Sequence, residues 1–160
     1  MPKLDLDAVP EVCRTGYPAP YDADVAGRHY RRLAGPGGLT DFGVNICRLE
    51  PGAWSSQRHW HGREDEFAIV LSGEAVLVTN AGETAMRPGD CAAFPKGDGD
   101  AHHFVNRSDA DTVLLVVGTN VPDDTCTYPD IDMHLPRNGG TFTRQGGAAA
   151  SSRPGPESLP

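Results

Sequence analysis

Between residues 28 and 118 the chain is cut into short apolar or alternating runs by turn-forming residues. This rhythm limits the fold more than any other feature. Candidate strands are 28–33, 42–49, 66–71, 74–79, 83–86, 91–94, 102–106 and 112–118. Between them stand "GPGG" at 35–38, "PG" at 51–52, "SG" at 72–73, "NAG" at 80–82, "PGD" at 88–90 and "PKGDGD" at 95–100. No stretch of a dozen residues in this body repeats its apolar positions every 3.6 residues, which argues against helical packing. Many short antiparallel strands at regular spacing predict an all-β sandwich or barrel.

The ends differ from the body. Residues 1–24 hold four prolines and little periodicity, and read as an extended N-terminal arm. Residues 144–160 are rich in Gly, Pro, Ala and Ser and read as a disordered tail. One barrel domain over 25–143 accounts for the rest. The segment "TYPDIDMHLP", 127–136, follows the last candidate strand and is expected to cap the barrel or dock on its outside.

Charge narrows the partners. The formal net charge is -8. Nucleic acid and anionic membrane surfaces both call for a basic face, so neither is expected. The longest apolar runs are strand-length, too short to span a bilayer. The N-terminal "MPKLDLDAVPEV" places acids where a secretion signal needs a basic and then an apolar stretch, so a cytoplasmic protein is expected. Cysteines 13, 47, 91 and 126 form no Cys-x-x-Cys pair, and Cys47 and Cys91 are expected as small packing residues.

The chemistry concentrates in "SSQRHWHGREDEFAIVLSG", 55–73. Alternation along a strand puts His59 and His61 on one face and Trp60 on the other. Glu66 opens the next strand after a tight turn, so a hairpin brings it back beside them. Glu64 and Asp65 are its rivals; Glu66 is preferred because it begins the apolar run, and the other acids are expected as solvated turn residues. A later strand supplies His102, with Phe104 and Asn106 on its face and His103 on the opposite one. Three imidazoles and a carboxylate inside a barrel are costly without a partner, and a divalent cation removes that cost. The donors suit Fe(II), Mn(II), Ni(II), Co(II), Cu(II) or Zn(II). Gln57 shares the parity of the histidines, and with Phe104 is a candidate pocket residue. Asn106 is expected to fix a turn. Which face of 42–49 looks inward stays open at this stage.

These spacings resemble the two motifs of the cupin superfamily. The first runs Gly52, six residues, His59-Trp60-His61, four residues, Glu66, six residues, Gly73. The second runs Gly89, five residues, Pro95-Lys96-Gly97, four residues, then His102-His103-Phe104-Val105-Asn106. The gap after Gly97 is four residues where two are usual, which lengthens a rim loop. The matched stretch, Gly52 to Asn106, covers about a third of the chain. The resemblance implies a double-stranded β-helix, or jelly roll, with one metal ion held by His59, His61, Glu66 and His102. It also implies a homodimer, often with the N-terminal arm crossing to the partner. A small-molecule substrate, oxygen-rich or anionic, suits the residual positive charge of such a site.

Three functions follow. The first is a mononuclear dioxygenase, with Fe(II) the expected ion and two coordination positions left for substrate and O₂. The second is a metal-assisted isomerase, lyase or dehydratase, which requires a general base. The third is a small-molecule-binding module without catalysis. No residue of the motif strands stands out as a base, which inclines the reading toward the dioxygenase.

Overall fold

The computed structural model describes residues 3–136 and 141–144. Its strands are Arg28–Arg32 (β1), Phe42–Leu49 (β2), Trp60–His61 (β3), Glu66–Ser72 (β4), Ala75–Thr79 (β5), Gly82–Met86 (β6), Cys91–Phe94 (β7), His103–Val105 (β8), Thr112–Thr119 (β9), Thr125–Tyr128 (β10), Met133–Pro136 (β11) and Thr143–Arg144 (β12). A short α-helix, Ala34–Gly37, bridges β1 and β2. A five-stranded sheet in the order β1-β2-β9-β4-β7 forms one layer. The other side is built from the sheets β6-β5-β8 and β12-β11-β10-β3, all pairings being antiparallel. Isolated bridges Trp54↔Val105 and His59↔His102 connect segment 54–61 to β8. This is the expected all-β jelly roll.

The core lies between the layers. Cys47, Leu49, Val70 and Leu114 point inward and are essentially inaccessible, with Ala68, Ala75, Met86 and Phe104 around them. β2 therefore turns Gly43, Asn45, Cys47 and Leu49 inward, which settles the face the sequence leaves open. Burial pushes the Cys47 thiol up to about 12, so it packs as an apolar side chain. The outward residues in the middle of the same sheet are also apolar, whereas its β1 side carries His29, Arg31 and Arg48. In register the apolar ones form the rows Val44–Val117–Phe67 and Ile46–Leu115–Ile69.

The segment 127–136 supplies most of β10 and β11. Its Tyr128 and Met133 join Cys126 and Phe142 in a second apolar cluster. β10 pairs with β3, aligning Cys126 with His61, so this segment closes the barrel end that carries the histidines. The arm adds to the edge of β1 through a Val12↔Tyr30 bridge within the same chain. Glu11 there pairs with Arg48, 2.6 Å, and with His29, 3.3 Å. Of the expected tail, Arg144 lies in β12, and 145–160 lie outside the described residues.

Asn106 behaves as a clamp. It is fully buried, donates to the Leu49 and Ala110 carbonyls at 2.9 and 2.8 Å, and accepts from the Ser108 N–H at 3.0 Å. Gly73 has φ +75, and a Cβ there would meet the Asp111 carbonyl at 2.5 Å. Gly52 has φ +83 but open space around it. Gly52→Ala is thus expected to cost about 1 kcal/mol, from backbone preference alone. Gly73→Ala adds an overlap with backbone and should cost about 3 kcal/mol. Urea unfolding of both variants measures the difference; equal losses would refute the packing argument.

Candidate metal centre

The two histidines of segment 59–61 sit at the barrel end because β3 is held between β10 and the His59↔His102 bridge. Glu66 is the first residue of β4, opposite Phe94 and Gly118. The four side chains converge. The Glu66 Oε2 lies 3.0 Å from His102 Nε2, 3.7 Å from His59 Nε2 and 3.7 Å from His61 Nε2. Two donors bound at right angles to one ion at about 2.1 Å are about 3 Å apart, the Glu66–His102 spacing, and His59, Glu66 and His102 offer ligand atoms within 4.8 Å of one another, with His61 Nε2 beside Glu66.

The opposite ring nitrogens tell the same story. His59 Nδ1–H donates to the Gln57 carbonyl at 3.0 Å. His61 Nδ1–H donates to Asp124 Oδ2 at 2.6 Å. Both rings are thereby fixed with the Nε2 lone pair toward the centre, the arrangement that metal-bound histidines use. Phe94 stacks flat on His102 at 3.4 Å between ring centroids. The donor set of three imidazoles and one carboxylate fits a divalent first-row ion.

Electrostatics agree. Burial drives His59 down to about 3, against the pull of Glu66, so this ring is neutral at physiological pH. Burial alone would raise Glu66, but the His102 contact and the neighbouring imidazoles outweigh it and hold the carboxyl down at about 2. His61 moves the other way. Burial lowers it, yet the Asp124 hydrogen bond and the charges of Glu66, Asp124 and Glu64 together raise it above its ordinary value. Asp124 itself is lowered: burial is offset by the His61 bond and by the Arg63 N–H, 2.7 Å away.

A narrow cleft opens over these residues, lined by Trp60, His61, Glu64, Glu66, Phe94, Pro95, Asp98, Asp100 and His102. Several expectations change here. Glu64, expected as a solvated turn residue, is only 4% exposed and lines the cavity. Its Oε1 accepts from the Val121 N–H at 2.6 Å, and its Oε2 is 3.8 Å from His61 Nδ1. Asp65 is exposed and serves the loops, accepting from the Lys96 N–H at 2.9 Å. Gln57 does not line the cavity. It is buried on the arm side, donating to the Tyr21 carbonyl and to Asp24 at 2.8 and 2.9 Å. Phe104 is core rather than pocket wall. Trp60, expected on the far face, lines the cavity as well, because β3 is two residues long and strict alternation needs a longer strand. His103 does face away: it is buried and stacks on Trp54 at 4.4 Å.

Sequence reasoning missed Asp124 and the role of Glu64. Asp124 lies in "PDDT", a plain acidic turn with no motif spacing to the histidines. Only the β10–β3 pairing brings it to His61.

A model of the cupin domain matches residues 45–118. A sugar phosphate isomerase of the cupin superfamily from Silicibacter pomeroyi DSS-3 is 49% identical, with 94% of this chain and 98% of that chain covered and a TM-score of 0.90. This chain belongs to the cupin superfamily. A second cupin relative, from Acidithiobacillus ferrooxidans and provisionally named a sugar phosphate isomerase, is 29% identical over 79% of this chain and 81% of that one, with a TM-score of 0.71. The polyketide cyclase RemF from Streptomyces resistomycificus shares the fold, with a TM-score of 0.62 and 21% identity over 74% of this cupin and 79% of its own chain. Among curated proteins, none matches the chain. Among the described residues, no helix is long and apolar enough to cross a membrane.

A cation at this centre must displace the proton that the carboxylates favour on His61. Co(II) affinity should therefore fall as pH drops through a range above the ordinary histidine value of about 6.5. Asp124→Asn removes the partner that raises His61. It should weaken binding by about 10–100-fold at high pH and shift the fall to lower pH. Calorimetric titration of both proteins between about pH 5.5 and about pH 8.5 measures this; an unchanged pH midpoint would contradict the His61–Asp124 assignment.

Proposed function

We propose that this cupin is a metal-dependent isomerase that moves a proton between adjacent carbons of a small polyhydroxylated carbonyl compound, a sugar phosphate being the substrate class. The observation that carries the reading is Glu64: a second, buried carboxylate in the wall of the cavity that holds the four convergent donors. Isomerisation requires a general base beside the substrate, and Glu64 supplies a candidate. The earlier preference for dioxygenase chemistry rested on the lack of a base, and Glu64 removes that ground. The name of the 49%-identical relative supports the substrate class.

His59, His61, Glu66 and His102 are the residues assigned to hold the ion. When bound, a divalent ion supplies Lewis-acid polarisation of neighbouring carbonyl and hydroxyl oxygens. Any of the ions named above meets that need, Fe(II) among them. Glu64 takes the proton from the carbon beside the carbonyl and returns it to the former carbonyl carbon. The substrate hydroxyl proton passes to the carbonyl oxygen, so the exchange is internally balanced. Glu64 Oε1 accepts from the Val121 N–H, and Oε2 lies 3.8 Å from His61 Nδ1. Asp98 and Asp100 on the wall are acceptors for substrate hydroxyls.

The charge of the cleft wall supports one orientation of the substrate. The lining includes four carboxylates, Glu64, Glu66, Asp98 and Asp100, and neither Lys nor Arg. A phosphate group is repelled there, so it projects from the opening into solvent.

The test is an anaerobic assay of metal-loaded protein in D₂O against a panel of aldose and ketose phosphates. Interconversion with deuterium entering the product is expected, without oxygen. Glu64→Gln should lower kcat by about 100-fold or more while metal content is unchanged. Turnover that consumes O₂ in proportion to product would overturn the reading in favour of a dioxygenase. Binding of sugar phosphates without conversion would leave a binding module.

A further inference from the structure

Three arginines stand together without an acid. Arg28, Tyr30 and Arg32 alternate along β1, in register with Leu49, Cys47 and Asn45, which face the barrel interior. Arg28 and Arg32 therefore lie on the inner face of β1, while His29 and Arg31 pair with Glu11 on the outer one. The Arg28 guanidinium lies 4.9 Å over the Tyr30 ring and donates to two carbonyls, those of Ser55 at 2.7 Å and of Arg14 at 3.3 Å. Its Nε–H is buried without a partner among the described residues. Arg31, Arg48, Arg58, Arg63 and Arg107 each have a carboxylate partner. Among the described residues none pairs with Arg14, Arg28 or Arg32. Burial and the charges of Arg28 and Arg14 hold the Arg32 guanidinium below its ordinary value, against the pull of Tyr30. A chain of net charge -8 has acids to spare, so cations left clustered and unpaired fit an anion that arrives from outside.

We propose that Arg14, Arg28 and Arg32 form an oxyanion subsite that takes the phosphate group of the substrate, an inference that rests on the isomerase reading above. The place of the three in the fold supports it. Arg32 aligns with Asn45, and two residues away on the same face of β2 is Gly43, which aligns with Gly118 and through it with Glu66. The arginine and the carboxylate thus occupy neighbouring rows at one end of the barrel. The two inward positions between them are glycines. A Cβ at Gly43 would meet nothing nearer than 3.9 Å, so this stretch of inner sheet is bare. Arg32 on β1 and Glu66 on β4 are three strands apart, roughly 14 Å along the sheet. The long arginine stem covers part of that span. The remainder is of the order of a small sugar phosphate lying with its carbonyl end at the metal centre.

Charge then sorts the two ends of the substrate. Four carboxylates line the cleft and repel a phosphate, and three guanidinium groups across the barrel mouth attract it. Arg14 and Arg32 are exposed, so a phosphate that leaves the cleft meets their N–H groups at the rim, on the solvent side. Arginine forks match phosphate oxygens in pairs, which a lysine cannot do. Arg28, held by the two carbonyls and the Tyr30 ring, is the buried member and adds its charge from beneath.

Calorimetric titration of the metal-loaded full chain with inorganic phosphate tests this. Saturable binding is expected, weakened by added salt and retained after the metal is removed with a chelator. Arg14→Gln combined with Arg32→Gln should weaken it about 10-fold or more. Should the pair not fold, Arg32→Gln alone should weaken it severalfold. Arg107→Gln, at an exposed arginine paired with Glu83, should bind phosphate as the native chain does. In the anaerobic isomerase assay the double variant should raise KM for a sugar phosphate about 10-fold or more. A native chain that binds no phosphate, a folded double variant that binds it as well as the native chain, or binding that vanishes with the metal would overturn the subsite. A lower affinity for inorganic phosphate with an unmoved KM would overturn its assignment to the substrate. Phosphate binding that depends on the arginines in a protein that converts no sugar phosphate would uphold the oxyanion subsite and refute the isomerase reading alone.

Discussion

A carboxylate and three imidazoles share one small buried volume, and that crowding sets the terms for the rest of the molecule. Buried polar groups are tolerated when each has a partner. Glu66 is ionised, His59 is neutral, and the Nε2 atoms of His59, His61 and His102 all face one carboxylate oxygen. An arrangement of four donors around one point is poor as an ion-pair network and good as a coordination shell. The surrounding structure maintains it. Gln57 and Asp124 fix the far nitrogens of two rings, and Phe94 stacks on the third.

The fold serves this centre by placing strand ends rather than strand middles at the cavity. Glu66 begins β4, His102 immediately precedes β8, and His61 ends β3. Loops therefore bring the cavity its remaining groups. Glu64 comes from the β3–β4 turn, Asp98 and Asp100 from the β7–β8 loop, and Asp124 from the turn before β10. The paired sheet below them is the rigid part, pinned by Asn106 and by the close packing at Gly73. This division between a stiff barrel and a loop-built rim is what lets one fold carry many chemistries.

The amino-acid sequence declares the barrel and the four donors, because both are written in local spacing. Strands β1, β2, β4 to β7 and β9 follow from alternation and turn residues, and β8 from the same rule with its start one residue later. The donors follow from period-two parity and motif spacing. What was hidden depended on contacts distant in sequence. β3 is two residues long and exists by pairing with β10, over 60 positions later, so its alternation misplaces Trp60. Asp124 and Glu64 are ordinary acids in acidic turns until that pairing buries them. Gln57 shares the ligand parity but is captured by Tyr21 and Asp24 of the N-terminal segment. Parity assigns a face; it does not say what covers it.

The central claim is that one divalent cation sits among His59, His61, Glu66 and His102. The most direct measurement is anomalous diffraction from crystals of the Co(II)-loaded protein. The account predicts a single strong peak about 2.0–2.3 Å from the three Nε2 atoms and from a Glu66 oxygen. A peak elsewhere, or full loading with no peak between these four side chains, would contradict it.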